Sequence, residues 1–527
     1  MTNKILFSSI AGKLVPKPDS VNEANGPAYA FTPRHALAQY VTTGCLNTTF
    51  YATAEDQLAT VLALSREVEA EFIARTAIFS RQQGRMKDAP ALLCAVLAGR
   101  DTKLLETIFP RVIDNAKMLR NFVQIIRSGV TGRKSLGSAP KRMIVRWLAA
   151  QSEENLFNSS VGQSPSLGDV IKMVHPKPDV VTREALYAYL IGRTSHAEAL
   201  PELVRDYEAF RTGKTSAVPK VPFAMLTSLP LDKSAWIEIA RNAPWQATRM
   251  NLNTFARHGV FGDDAKTSDE QRETTMIIAE RLRDRQAVVK ARAFPYQLMV
   301  AYANAAKQVP SAVKEALQDA MEISLENVPS VTGKVYVPTD VSGSMRSPVT
   351  GARGSATTSV RCVDVAALFA AAILRKNPGA EVIPFNDRVV PIALNPRDTV
   401  TTNAARLAAL LPGGTNCSVP LAHLNERHAT GDMVIYVSDN QSRIDAANAK
   451  ERGTATMIEW NRFKIRNPEA RLVCIDLQPS GTTQAAERDD ILNVGGFSDQ
   501  VFETVAEFAA GNLAAEHWVS MIEAIEI

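Results

Sequence analysis

Apolar positions recur at helical spacing through most of the first 330 residues. Segments of 10 to 20 residues rich in Ala, Leu, Arg and Glu alternate with Pro, Gly, Asn or Ser. AEDQLATVLALSREVEAEFIARTAIFSRQQG, ending at Gly84, APALLCAVLAG, ending at Gly99, and EQRETTMIIAERLRDRQAVVKARAF, ending at Phe294, carry this pattern. Strand-like alternation is scarce there, so the expectation is an all-α stack of helix pairs of HEAT type, although no fixed repeat length shows. Near residue 329 the pattern changes. VPSVTGKVYVPTDVSGSM brings a β-branched run flanked by turn residues, and apolar strand candidates then alternate with helices. In order these are KVYVPTD, the helix VDVAALFAAAILRK from Val363, AEVIPFN, RVVPIAL, a helix near Ala404, DMVIYVSD, a helix around Trp460, and RLVCIDLQ. Continuous apolar strands separated by helices predict a mostly parallel, doubly wound α/β sheet, whose ligands sit beyond the carboxyl ends of the strands. The expected domains are residues 1–328 and 329–527.

A chain of 527 residues exceeds what one core usually supports, in agreement with two domains. With 46% hydrophobic and 22% charged residues, its composition is that of a soluble globular protein. No window approaches the roughly 18 to 20 apolar residues of a membrane span, and MTNKILFSSIAGKLVPKPDS lacks the continuous core of a signal peptide, so no membrane partner and a cytoplasmic location are expected. The five cysteines (Cys45, Cys94, Cys362, Cys417, Cys474) are scattered and never form CxxC, which argues against a disulfide framework and a zinc site.

Charge divides the chain. Residues 1–330 hold 41 Lys and Arg against 33 Asp and Glu, and residues 331–527 hold 18 against 22. The excess peaks in residues 101–150, with 10 basic against 3 acidic side chains, a distribution that suits a phosphate backbone. AKMLRNFVQIIRSGVTGRKSLGSAPKRMIVRWL places Lys117, Arg120, Arg127, Arg133, Lys134, Lys141, Arg142 and Arg146 on two helices and the Gly and Ser rich loop between them. On the second helix Ile144, Trp147 and Leu148 share one face while Arg142 and Arg146 project opposite. Lys172, His175 and Lys177 in DVIKMVHPKPD extend the set. A merely solvated face is the alternative reading, but such faces normally mix signs.

At the end of the first strand of the second domain, Asp340, Ser342 and Ser344 stand in DVSGS; Thr415 follows a glycine turn in GGTNC, and Asp439 ends the strand DMVIYVSD. One or two carboxylates with hydroxyls suit a hard divalent cation, Mg²⁺ above all, where zinc would want His or Cys. The structural alternative is that these residues cap helices and satisfy turns. The pattern resembles the metal-ion-dependent adhesion site of von Willebrand A domains, in which the cation mediates binding. No P-loop, nucleophile elbow or paired acidic cluster for two-metal hydrolysis is present, so no enzymatic activity is expected.

GRKSLGSAPKRMIVRWL from Gly132, DVIKMVHPKP from Asp169, and then DVSGSM, GGTNCSVPL, VSDN and ERDDILNVGGF resemble, in the same order, segments of the Ro autoantigen or TROVE-domain family. The resemblance implies a ring of helical repeats followed by a von Willebrand A domain. It further implies binding of small stem-loop Y RNAs and of the single-stranded 3′ ends of misfolded or immature RNAs. In bacterial relatives a Y RNA can tether the protein to an exoribonuclease, polynucleotide phosphorylase. Two positions depart from the family pattern: Leu167 stands where animal members carry a His that contacts Y RNA, and Asn416 stands where an Asp is expected beside the metal-binding Thr. The competing functional class is a metal-dependent protein-interaction scaffold whose basic surface is incidental.

Overall fold

A computed structural model describes residues 15–527 except 163, 194–195, 263–266, 292–294, 329, 332, 355–358, 444–452, 497–498 and 512–516. The amino-terminal stretch read for a signal peptide lies largely outside the described residues. The chain forms two compact units: residues 1–68 with 325–526 and a short piece at 294–296, and residues 69–293 with 297–324.

The second of these units is helical throughout its described residues. Helices Ala70–Gln82 (α1), Asp88–Arg100 (α2), Thr102–Val112 (α3), Ala116–Ser128 (α4) and Ser138–Ala150 (α5) pack so that α1 touches α2 and α3, α2 touches α4, and α3 touches α5. Contacts to the next helix and the next but one are those of stacked helix pairs, as the apolar periodicity predicts. Local signals set the ends. Asp101 accepts from the amides of Lys103 and Leu104 to start α3, Asn115 accepts from Met118 to start α4, and Gly129 ends α4 with φ 88°. Farther on, Trp236, Phe255, Leu282, Val313 and Leu317 belong to a second buried cluster.

The first unit holds a five-stranded parallel sheet. Two short strands lie near the amino terminus, Ser20–Val21 (β1) and Pro27–Ala30 (β2). The sheet strands are Val335–Asp340 (β3), Glu381–Phe385 (β4), Met433–Ser438 (β5), Arg471–Asp476 (β6) and Ile491–Gly495 (β8), with Thr482–Thr483 (β7) outside the sheet. Their order is β4-β3-β5-β6-β8. Alternate strand residues Tyr336, Val434, Tyr436, Leu472 and Cys474 join Leu421, Leu424, Trp460 and Phe463 in one core cluster. Helix Cys362–Lys376 packs against β3, β4 and β5 without joining that cluster, so helices cover both faces.

Three features differ from the sequence expectation. RVVPIAL forms no strand: Val389 makes one bridge to Phe385, and Pro391 has no amide proton to continue a ladder. Conversely ILNVG supplies the edge strand β8. Finally, residues up to Val68, read with the helical domain, cluster with the α/β unit. β2 pairs antiparallel with β7, Tyr29 enters the core beside Trp460, and helix Pro33–Thr42 lies against β8. The fit is close: a Cβ on Gly495 would come within 2.6 Å of Gln39 Cγ and Thr43 Oγ1.

Candidate functional site

The parallel register brings Asp340, at the end of β3, level with Phe385 of β4. Asp439 directly follows the neighbouring β5, and three loops meet at this sheet edge. Ser438 Oγ donates to Asp340 Oδ2 at 2.6 Å, and the Ser342 amide donates to Asp340 Oδ1 at 2.8 Å. Ser342 and Ser344 hydroxyl oxygens are 3.3 Å apart. The Gly343 amide donates to Gly413 O and the Arg443 amide to Thr415 O, which ties the glycine turn to both other loops. Asp340, Ser342, Ser344, Thr415 and Asp439 are all buried. The structure thus collects the five residues singled out for metal binding at one place.

Burial, and then the charge of Asp439, pushes the Asp340 carboxyl up to about 7. Burial likewise raises Asp439, although the Ser344 hydroxyl opposes the shift. The leading charge acting on Asp340 is another carboxylate, and no basic side chain ranks among the main influences on either residue. Buried like charges of this kind are costly unless a cation is placed with them. All the donors are oxygen, the set a hard divalent cation prefers. Among the described residues no group of three or more His, Cys, Asp or Glu is arranged to hold a metal, so the hydroxyls would have to complete the shell. Asn416 takes no evident part: its Oδ1 accepts from the amide and hydroxyl of Ser418 at the start of helix Val419–Glu426.

Residues that the sequence pattern did not reveal also reach this edge. Asp476 ends β6, its carboxyl raised by burial and by the charges of Asp439 and Glu23. Tyr51 is half-buried, and burial followed by the charge of Asp439 raises its hydroxyl, with the Ser344 hydroxyl opposing. The only sequence signal for either would have been β6 ending in Asp.

The basic residues of the helical unit separate into two groups. Arg133 is a staple, since its guanidinium donates to Ala98 O and to Leu136 O. Arg120 is half-buried, bonded to Ala116 O, and its guanidinium is made less basic by burial. Arg146 pairs with Glu106 across an exposed surface. Lys117, Lys134, Lys141, Arg142, Lys172, His175 and Lys177 are exposed, with His175 ending helix Leu167–Val174 at φ 50°. Arg127 reaches Met173 Sδ at 3.7 Å, so α4 and that helix share a cleft of about 580 Å³. Arg127 and Lys172 line it with Gln124, Ser128 and Asp169. Asp169 is occupied with the Ser166 cap, and Leu167 is fully buried. The expected face of Ile144, Trp147 and Leu148 is buried, with Trp147 Nε1 donating to Ile113 O at 2.7 Å.

Residues 334–509 match the family model of the Ro60 vWA domain. The chain is 23% identical over 523 residues to the RNA-binding protein RO60 of Deinococcus radiodurans, covering 93% of this chain and 95% of that protein. The crystal structure of the Deinococcus radiodurans RO (RSR) protein superposes with a TM-score of 0.62 at 19% identity, over 92% of this chain and all of that one. Fold and extent of similarity agree: residues 334–509 match a Ro60 vWA domain, and along nearly its whole length the chain is similar in sequence and fold to the Ro protein of Deinococcus radiodurans.

Proposed function

We propose that this chain is a non-catalytic RNA-binding protein that grips phosphate through the exposed basic side chains of its helical unit. The observation that carries this reading is the cleft between α4 and helix Leu167–Val174, where Arg127 and Lys172 converge beside exposed polar groups. Lys141 and Arg142 are exposed on α5, and His175 and Lys177 are exposed just beyond the end of helix Leu167–Val174. Phosphate contacts of this kind give affinity without sequence readout. The relative named an RNA-binding protein, similar along nearly the whole chain, supports it. Its RNAs, on this reading, are small structured Y-like RNAs and misfolded or immature RNAs with a single-stranded 3′ end. An exoribonuclease such as polynucleotide phosphorylase would act on the RNAs it selects, in the cytoplasm, where the five thiols stay reduced.

In the vWA domain, Asp340, Ser342, Ser344, Thr415 and Asp439 would hold Mg²⁺, which supplies an electrophilic point for an outside carboxylate or water. The protein's own contribution is a rigid oxygen cluster, pre-set by backbone bonds between its three loops. A gel-shift titration tests the RNA reading with a hairpin bearing a single-stranded 3′ tail and its blunt counterpart, across a salt series. Tail-dependent binding that weakens steeply with salt is expected. Equal failure to bind both RNAs would leave the basic surface incidental and favour the protein-scaffold role.

A further inference from the structure

We propose that the cavity bounded by Asn25, Phe50, Tyr51 and Arg443 on the α/β unit takes one unpaired nucleotide of a bound RNA, its base stacked on the Phe50 ring and its phosphate paired with the Arg443 guanidinium. The inference rests on reading the chain as an RNA-binding protein, and it adds a contact on a different unit from the cleft of Arg127 and Lys172.

The cavity measures about 480 Å³, within the range of small-ligand sites, and Ala24 completes its lining. Its walls come from three segments that the fold holds in place. Thr49 closes the turn that carries the two aromatics: its amide donates to Ala52 O at 2.8 Å, and its hydroxyl accepts from the Ala52 amide at 3.2 Å. That turn is anchored where Asn47 Nδ2 donates to Thr350 O at 2.8 Å and the Ala352 amide donates to Thr48 O at 2.6 Å. The turn bearing Asn25 is fixed by Asn22, whose Nδ2 donates to Ser442 O at 2.9 Å and whose Oδ1 accepts from the amides of Ala24 and Gly26 at 3.0 and 2.7 Å. Backbone approach is so tight there that a Cβ on Gly26 would lie 2.2 Å from Ser442 O. Arg443 is held by its amide, which donates to Thr415 O at 3.1 Å. None of these bonds uses the side chains of Asn25, Phe50, Tyr51 or Arg443, so the walls are set before a ligand arrives and its binding has little left to order.

The chemistry of the lining selects the occupant. Phe50 is 57% exposed, and its ring lies edge to face with Tyr51, the centroids 4.8 Å apart and the planes at 72°. A ring so exposed gains from being covered, and a nucleobase covers it with a flat face of its own, whatever the base. Arg443 is exposed, and among the described residues its guanidinium has no acidic partner. Asn25 is exposed too, and its carboxamide, a donor and an acceptor together, makes no hydrogen bond among the described residues. No acidic side chain lines the cavity. Cation, carboxamide and ring answer the three recognisable parts of an unstacked nucleotide: its phosphate, the edge of its base and the face of its base. A peptide carboxylate would satisfy Arg443 but leave the ring face to a second residue, whereas one nucleotide brings charge, edge and face at once.

The test uses the full chain and a short oligoadenylate RNA with 2-aminopurine at its centre, read by fluorescence anisotropy for affinity and by 2-aminopurine quenching for stacking. Phe50→Ala, Phe50→Tyr and Arg443→Ala are each placed on the wild type and on an Arg127→Glu, Lys172→Glu background, in which the cleft of the helical unit no longer competes for the probe. On that background Phe50→Ala should weaken binding roughly fivefold to a hundredfold, the cost of one lost base–aromatic stack, and abolish the quenching while leaving the salt dependence as it was. Phe50→Tyr should keep both signals. Arg443→Ala should flatten the slope of log affinity against log salt by about 0.7, one phosphate contact on a single strand. A wild type that binds the probe, with neither affinity nor quenching altered by Phe50→Ala or Arg443→Ala on either background, would overturn this site and leave the RNA reading standing. A wild type that binds no RNA would remove both. Binding of a polyglutamate peptide that is lost in Arg443→Ala, with no quenching of the RNA probe, would overturn the nucleotide in favour of an acidic protein partner. Phe50 and Arg443 are exposed, so their replacement leaves the core intact, which circular dichroism checks.

Discussion

Replacing Asp439 by Asn should make the protein more stable than the wild type without magnesium and less stable than it with magnesium. Asp340 and Asp439 are both buried, and the charge of Asp439 raises the Asp340 carboxyl, so the two repel. Two like charges repel by about 2 kcal/mol at roughly 7 Å in an effective dielectric of about 20. The Asp439→Asn side chain would keep an acceptor for Gln441 and lose the charge. In EDTA at pH 8 the variant should be more stable by about 2 kcal/mol, or about 4–8 °C for a domain of this size. With Mg²⁺ at about a hundred times its dissociation constant, the wild type should gain about 2.7 kcal/mol. The variant, one anionic ligand short, should gain little, so the two melting curves exchange order. Differential scanning calorimetry with and without Mg²⁺ reads this directly. If Asp439→Asn lowers stability in EDTA and Mg²⁺ shifts neither protein, the buried carboxylates are structural and the cation reading is wrong.

Three further outcomes separate phosphate-binding from structural charges. Arg127→Glu with Lys172→Glu should weaken RNA binding and flatten the slope of log affinity against log salt by about one or more, measured by fluorescence anisotropy, because two phosphate contacts are lost. Arg133→Ala should instead lower the stability measured by urea unfolding by about 1–2 kcal/mol and leave the salt slope unchanged, since its guanidinium serves Ala98 O and Leu136 O. Asp490 is half-buried, which alone would raise its carboxyl, but the Arg488 guanidinium, Lys464 and the Trp460 indole together hold it below the usual range. A depressed carboxyl stabilises the fold above its unfolded pKa and loses that contribution as pH falls through the folded value. Asp490→Asn should therefore cost about 2 kcal/mol in urea denaturation at pH 7, and the deficit should shrink below about pH 4.

The two-part organisation and the parallel sheet were legible because their signals are local. β3, β5 and β6 are buried runs of Val, Ile, Leu and Tyr, and a strand covered on both faces has no polar alternation to hide in. RVVPIAL carries the same composition and misleads for that reason. What stops it is Pro391, together with the turn that returns Val389 to Phe385 of the preceding strand. ILNVG escaped notice for the opposite reason, since its Asn493 and glycine weaken the apolar pattern. Asn493 is buried all the same, because its side chain bonds Thr483 Oγ1 and Ala485 O.

The site was legible only as far as strand ends can be read. A carboxylate at the end of each of two parallel neighbours must arrive at one edge, so Asp340 and Asp439 follow from the sheet alone. The basic residues show the limit of composition. The local excess around residues 101–150 is real, yet Arg133 and Arg120 donate to backbone carbonyls and Arg146 answers Glu106, and nothing in a charge count separates them from Arg127 or Lys141. Asn25 and Tyr51 lie further beyond reach. Their segment carries no strand of more than four residues, and its place is decided by pairing with β7 and by Asn22 bonding to Ser442, partners more than 400 residues away. Such long-range docking has no periodicity to announce it.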